Sequence, residues 1–66
     1  MRIELEMEND GRWIAEIPEL PGVMVYGATR EQAISKVKAL ALRTMADQIE
    51  NESPVSGLDC LFAVPA

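Results

Sequence analysis

The sequence predicts one α+β domain: a three-stranded antiparallel meander, one long helix and a C-terminal strand, in the order β-β-β-α-β. Three observations carry that prediction. The first half alternates apolar and polar residues with a period of two, glycine and proline interrupt the alternation at two points, and Arg30 to Asn51 then runs without either breaker.

Ile3, Leu5 and Met7 alternate with Glu4, Glu6 and Glu8, the pattern of a strand with one wet face. Trp13, Ala15 and Ile17 alternate with Arg12, Ile14 and Glu16 in the same way. Two registers compete for the hairpin between them. A two-residue Asp10-Gly11 loop sets Glu8 against Trp13 and Leu5 against Glu16, mixing charge with apolar groups on both faces. A three-residue loop of Asn9, Asp10 and Gly11, with Gly11 in the left-handed region, pairs Met7 with Trp13, Leu5 with Ala15 and Ile3 with Ile17. The second register keeps both faces pure and is the expected one. It gathers Glu4, Glu6, Glu8, Arg12, Ile14 and Glu16 on the opposite face, with Glu8 and Arg12 an attractive cross-strand pair and Glu4 and Glu16 a repulsive one.

Pro18 and Pro21 bracket Glu19-Leu20 and Gly22 follows, so the chain turns there. Val23 to Tyr26 reads as a short third strand whose two faces the pattern does not assign. Thr29 and Gln32 form a capping box, with the threonine hydroxyl accepting from the Gln32 amide and the Gln32 side chain reaching back to the Thr29 amide. A helix is therefore expected from Arg30 to about Glu50, roughly 30 Å long. At about 100° per residue, Lys36, Arg43, Asp47 and Glu50 share a narrow charged sector. Ala33, Ile34, Val37, Leu40, Ala41, Thr44 and Met45 form the stripe that covers the sheet. Ala39, Leu42 and Ala46 make a second apolar strip, which one sheet does not require and which therefore reads as a contact with another helix. After the polar loop Asn51 to Gly57, residues Leu58, Cys60, Phe62 and Val64 alternate with Asp59, Leu61 and Ala63 as a fourth strand. Its low charge makes Leu61 a candidate subunit contact, and pairing within the subunit and exchange with a neighbour both stay open.

Composition narrows the function classes. A domain of 66 residues buries only about 60% of its unfolded surface, so stability from outside the core is expected. Cys60 is the sole cysteine and histidine is absent, which leaves no disulfide and no Cys/His zinc site. Self-association as a dimer or tetramer is the remaining source. A net charge of −5 without a basic stripe argues against direct binding to nucleic acid and favours a basic protein partner. The first residues form neither a signal peptide nor a membrane span, and the lone thiol suits a cytoplasmic location.

Gly11-Arg12-Trp13-Ile14-Ala15-Glu16-Ile17-Pro18-Glu19-Leu20-Pro21-Gly22, followed by Gly27-Ala28-Thr29-Arg30-Glu31-Gln32-Ala33-Ile34, resembles the antitoxin domain of the HicB family of HicA-HicB toxin-antitoxin pairs. The shared pattern is an aromatic, a small residue, Pro-x-x-Pro-Gly and a later Gly-x-Thr-x-x-x-Ala helix start, and the similarity covers nearly the whole chain. It implies a partial ribonuclease H-like unit, homo-oligomeric, that binds and neutralises a HicA-like toxin, a small basic ribonuclease that uses a histidine. Many members continue into a DNA-binding segment. The present sequence stops at Ala66, so operator binding is not carried over.

A docking surface for such a toxin would be the face of Glu4, Glu6, Glu8, Arg12, Ile14 and Glu16, with Ile14 as anchor. The competing reading is that a half-buried sheet simply solvates its outer face. An oligomer contact would use Ala39, Leu42, Ala46 and Leu61. No catalytic residue, cofactor or metal ligand is expected: the carboxylates of the first strand lie along one element and point outward, whereas a two-metal site needs them to converge, and no nucleophile stands beside a base. Trp13 and Cys60 read as core. The leading expectation is thus a non-enzymatic antitoxin that occludes a ribonuclease. The alternative is a free-standing oligomeric scaffold or small-ligand-binding module with the same fold.

Overall fold

A computed structural model describes residues 1–51. It contains β1 (Glu4–Met7), β2 (Trp13–Glu16), β3 (Met24–Gly27) and α1 (Arg30–Glu50). The strands form one antiparallel sheet in the order β1-β2-β3, and α1 lies across one face of β2 and β3. The expected fourth strand, 58–64, lies outside the described residues, as does Leu61.

The hairpin adopts the three-residue loop. Met7 stands opposite Trp13, Leu5 opposite Ala15 and Glu4 opposite Glu16, and Gly11 closes the loop at φ +89°, where a side chain would be strained. The Gly11 amide donates to the Glu8 carbonyl at 3.0 Å and the Glu8 amide to the Arg12 carbonyl at 2.7 Å, so the loop leaves few backbone groups unpaired. Between β2 and β3 the Pro-bracketed segment makes successive short turns: Leu20 donates to the Ile17 carbonyl at 3.0 Å, and Val23 to that of Leu20 at 3.0 Å. Gly22 supplies the left-handed residue at φ +85°. This folding drives Leu20 into the core, where it is 2% exposed.

Strand β3 is shifted by one residue from the expected Val23 to Tyr26, and its faces are now assigned. Ala15 pairs with Val25 and Trp13 with Gly27, which places Val25 and Gly27 inward and Met24 and Tyr26 outward. Gly27 permits the approach of the helix. A Cβ built there would stand 2.5 Å from the Ala33 nitrogen and 2.8 Å from its Cα, inside any real carbon contact. Trp13, paired directly with Gly27, packs against the core and is half-buried.

The helix begins where the capping box predicts. Thr29 Oγ1 accepts from the Gln32 amide at 3.0 Å, while the Gln32 side-chain oxygen accepts from the Ala28 amide and not from that of Thr29. The reciprocal half of the box thus closes one residue further back, because the chain is still extended at Thr29, φ −128° and ψ 163°. Ala33, Val37, Ala41 and Met45 are buried against Ala15, Ile17, Leu20 and Val23, with Ile34, Leu40 and Thr44 half-buried beside them. Asn51 ends the helix, its side chain donating to the Asp47 carbonyl at 2.9 Å.

One expectation about the core is corrected. Met7 shares the inner face with Trp13, yet it is 59% exposed. The reason is geometric: the contact at Gly27 holds α1 over β3 and β2, and β1 is the strand at the far edge of the sheet. Ile3 and Leu5, further along β1, remain only half-buried.

Gly27→Ala is expected to force apart β3 and the first helical turn and to cost about 1–3 kcal/mol, against about 1 kcal/mol for loss of the Thr29 cap in Thr29→Ala. Urea unfolding followed by circular dichroism checks both. A Gly27→Ala chain as stable as the parent would mean that the close approach is not a constraint.

Candidate functional site

The sheet face turned away from α1 carries the expected constellation. Register and alternation place Glu4, Glu6, Ile14 and Glu16 together, and these four with Leu5 line a shallow depression in the centre of the face. Ile14 sits opposite Glu6 on one side and Tyr26 on the other, and Glu16 sits between Glu4 and Met24. A half-buried isoleucine is therefore framed by three carboxylates. Glu6 and Glu16 are exposed and Ile14 is partly covered by its neighbours.

The charges on this face are partly neutralised, in a way that alternation alone does not show. Arg2 Nη2 donates to Glu4 Oε2 at 2.8 Å, an exposed ion pair with Arg2 at 76% and Glu4 at 43% side-chain exposure. That pair offsets the like-charge contact between Glu4 and Glu16 across the strands. The Arg2 amide donates to Glu19 Oε2 at 3.1 Å, tying the chain start to the Pro-bracketed turn. The Glu19 carboxyl is held below its ordinary value by its own backbone N–H and then by that of Arg2. Among the described residues, Glu6 and Glu16 have no cationic partner.

Arg12 and Glu8 depart from the expected pairing. Arg12 Nε donates to Asp10 Oδ2 at 2.7 Å, and the Arg12 amide to Asp10 Oδ1 at 3.0 Å. Asp10, two residues earlier in the loop, captures both donors because the tight turn brings its carboxylate under Arg12. Glu8 meets Arg12 only through the backbone, at the edge of the face. The Arg12 guanidinium also lies 4.5 Å from the centre of the Tyr26 ring, a cation-π contact on an exposed surface. The face thus has an acidic and apolar centre at Glu4, Glu6, Ile14 and Glu16. Its border is cationic and aromatic, formed by Arg12 and Tyr26.

Tyr26 and Met24 are the residues that the sequence pattern left unassigned. The usable signal was Gly27: a glycine directly before a capped helix marks the inner face, and alternation then sends Tyr26 and Met24 outward. The expected oligomer residues Ala39, Leu42 and Ala46 are all exposed on α1, away from the sheet.

The carboxylates lie in two adjacent rows on a flat sheet, and the described residues hold no cluster of three or more His, Cys, Asp or Glu arranged to bind a metal ion. Among them, no helix is long and apolar enough to cross a membrane. No family model, curated protein or solved structure matches the chain.

The hairpin loop provides a direct check on the local electrostatics. The Arg12 backbone N–H, with a further contribution from the guanidinium, lowers the Asp10 carboxyl below its ordinary 3.8. A carboxyl depressed by folding stabilises the fold above its unfolded value and loses that contribution as the pH falls through the folded one. An NMR titration is expected to place Asp10 below 3.8, and Asp10→Asn to remove this part of the acid sensitivity. A titration midpoint at or above the ordinary value would contradict the loop geometry.

Proposed function

We propose that this chain is a HicB-like antitoxin whose outer sheet face binds a small basic ribonuclease and screens its active site from RNA. The single observation that carries the reading is the depression lined by Glu4, Glu6, Ile14 and Glu16: an apolar anchor ringed by carboxylates, two of them without a cationic partner among the described residues. The sequence pattern from Gly11 to Gly22 and from Gly27 to Ile34 supports the same reading through its resemblance to the HicB family. That resemblance also implies the fourth strand and a partial ribonuclease H-like arrangement.

Inhibition of this kind needs no chemistry on the antitoxin. Opposite charge raises the encounter rate and sets the orientation of a basic partner. Burial of Ile14 under an aliphatic stem or apolar residue of the toxin then supplies a desolvated centre, and the surrounding charges form the rim. Steric exclusion does the rest. The net charge of −5 gives the long-range component the right sign for a cationic enzyme.

The test is co-expression and pull-down with a small, basic, histidine-containing reading frame adjacent to this gene. The proposal expects a stable complex and loss of ribonuclease activity. In the purified pair, Ile14→Ala is expected to weaken binding by about 1–2 kcal/mol. Converting Glu6 and Glu16 together to Lys is expected to weaken it further, more at low salt than at high salt, because exposed charges are screened over about 10 Å at about 0.1 M ionic strength. If the neighbouring product neither co-purifies nor loses activity, or if both variants bind as the parent does, the proposal fails.

A further inference from the structure

The two edges of the sheet differ in how they are finished. In the β1-β2 hairpin the Glu8 amide donates to the Arg12 carbonyl at 2.7 Å, and alternate pairs of an antiparallel ladder carry the hydrogen bonds. Glu8, Glu6 and Glu4 therefore bond to β2, whereas the N–H and C=O of Leu5 and Met7 point away from it, along the outer edge of the sheet. On the other side the Ile17 amide donates to the Val23 carbonyl at 3.1 Å, so by the same alternation Met24 and Tyr26 turn their backbone groups to the β3 edge. That edge is guarded. Lys36 reaches from α1 and donates to the Tyr26 carbonyl at 3.4 Å, and a lysine over an edge strand discourages further pairing. Among the described residues, no side chain does the same for Leu5 or Met7.

β1 is also the strand that the helix leaves uncovered. α1 lies over β2 and β3, Met7 is 59% exposed, and Leu5 and Ile3 are half-buried beside it. The outer face of the same strand carries Glu4, Glu6 and Glu8, of which only Glu4 has a cationic partner among the described residues.

We propose that the outer edge of β1 is extended by a strand from the basic partner, with cationic side chains beside Glu4, Glu6 and Glu8 and apolar ones beside Ile3, Leu5 and Met7. The partner is the basic protein proposed above, and its identity rests on that reading. Charge decides among the strands that could add here. A second copy of β1, antiparallel about a two-fold axis, sets glutamate opposite glutamate in every register that keeps the apolar residues on one face, and like charges directly opposite are destabilising. Residues 58–64 lie outside the described residues, and their single charge, Asp59, has the wrong sign for Glu6 and Glu8. A strand alternating Lys or Arg with Val, Ile or Leu satisfies both faces. Its main chain meets the Leu5 and Met7 backbone for affinity, and its alternate side chains give specificity.

Amide hydrogen exchange on the isotope-labelled full chain tests this, with the end-blocked peptide Lys-Val-Lys-Ile-Lys-Val-Lys as the probe. The Leu5 and Met7 amides are expected to slow about tenfold at about 90% occupancy, while those of Glu4 and Glu6, already bonded to β2, change little. Two further peptides carry methyl groups on alternate backbone nitrogens, one along each edge. The peptide whose methyl groups face β1 is expected to lose binding, and the other to keep it. Met7→Lys puts a cation on the inner face at an exposed position, and is expected to weaken peptide binding about tenfold with helicity unchanged.

Two methylated peptides that bind alike would mean that charge alone holds them, which overturns the strand site and leaves the outer-face reading in place. Leu5 and Met7 amides as slow as those of Glu4 and Glu6 in the chain alone also overturn it, because residues 58–64 or a second copy then close the edge. If the neighbouring basic product fails to bind but the peptide slows both amides, the strand site stands and the identity of its partner falls.

Discussion

The approach of α1 to β3 at Gly27 and Ala33 governs the rest of the structure. With no side chain at Gly27, the helix backbone comes within a distance that any Cβ would forbid, and the Thr29 cap fixes the direction in which the helix leaves. From that contact the position of α1 over β3 and β2 follows, and with it the identity of the core. Ala33, Val37, Ala41 and Met45 meet Ala15, Ile17, Leu20 and Val23. Ala15, Ala33 and Ala41 let the two layers sit close, and Ile17, Leu20, Val37 and Met45 supply most of the burial, at about 25 cal/mol per Å².

One consequence is that a domain this small shows two surfaces of different chemistry. The outer sheet face combines carboxylates with one partly covered isoleucine and a stacked Arg12-Tyr26 pair. The side of the helix turned from the sheet carries Ala39, Leu42, Ala46 and Ile49 beside the exposed charges of Lys36, Arg43 and Glu50. The first surface is the one proposed to meet an unlike partner of opposite charge, with electrostatics and a small desolvated centre setting specificity. Because the core lies between them, either surface can be occupied without disturbing the other.

Much of this was legible in the sequence. The hairpin register followed from one requirement, that neither face mix charge with apolar groups, and the pairing of Met7 with Trp13 and Leu5 with Ala15 met it. The helix bounds followed from a cap and an unbroken run. What escaped was set by tertiary geometry. Met7 fits the inner pattern, but whether the helix reaches β1 depends on where Gly27 anchors it. Glu8 was a reasonable partner for Arg12 by cross-strand position, yet Asp10 lies closer once the turn tightens, and a local contact within the loop prevails over one across strands. Tyr26 could not be assigned to a face until the β2-β3 register was known. The site residues Glu4, Glu6, Ile14 and Glu16 were brought together as the alternation requires, whereas the neutralisation of Glu4 by Arg2 had no signature in spacing.

The central claim is that the face opposite the helix is the one that meets a basic partner. Amide chemical-shift mapping of the isotope-labelled chain, titrated with the product of the adjacent basic reading frame, addresses it residue by residue. The account predicts that the largest changes fall on Glu4, Glu6, Ile14, Glu16 and Tyr26, with the amides of Ala39, Leu42 and Ala46 unmoved. Changes confined to the helix, with the sheet signals left in place, would contradict it.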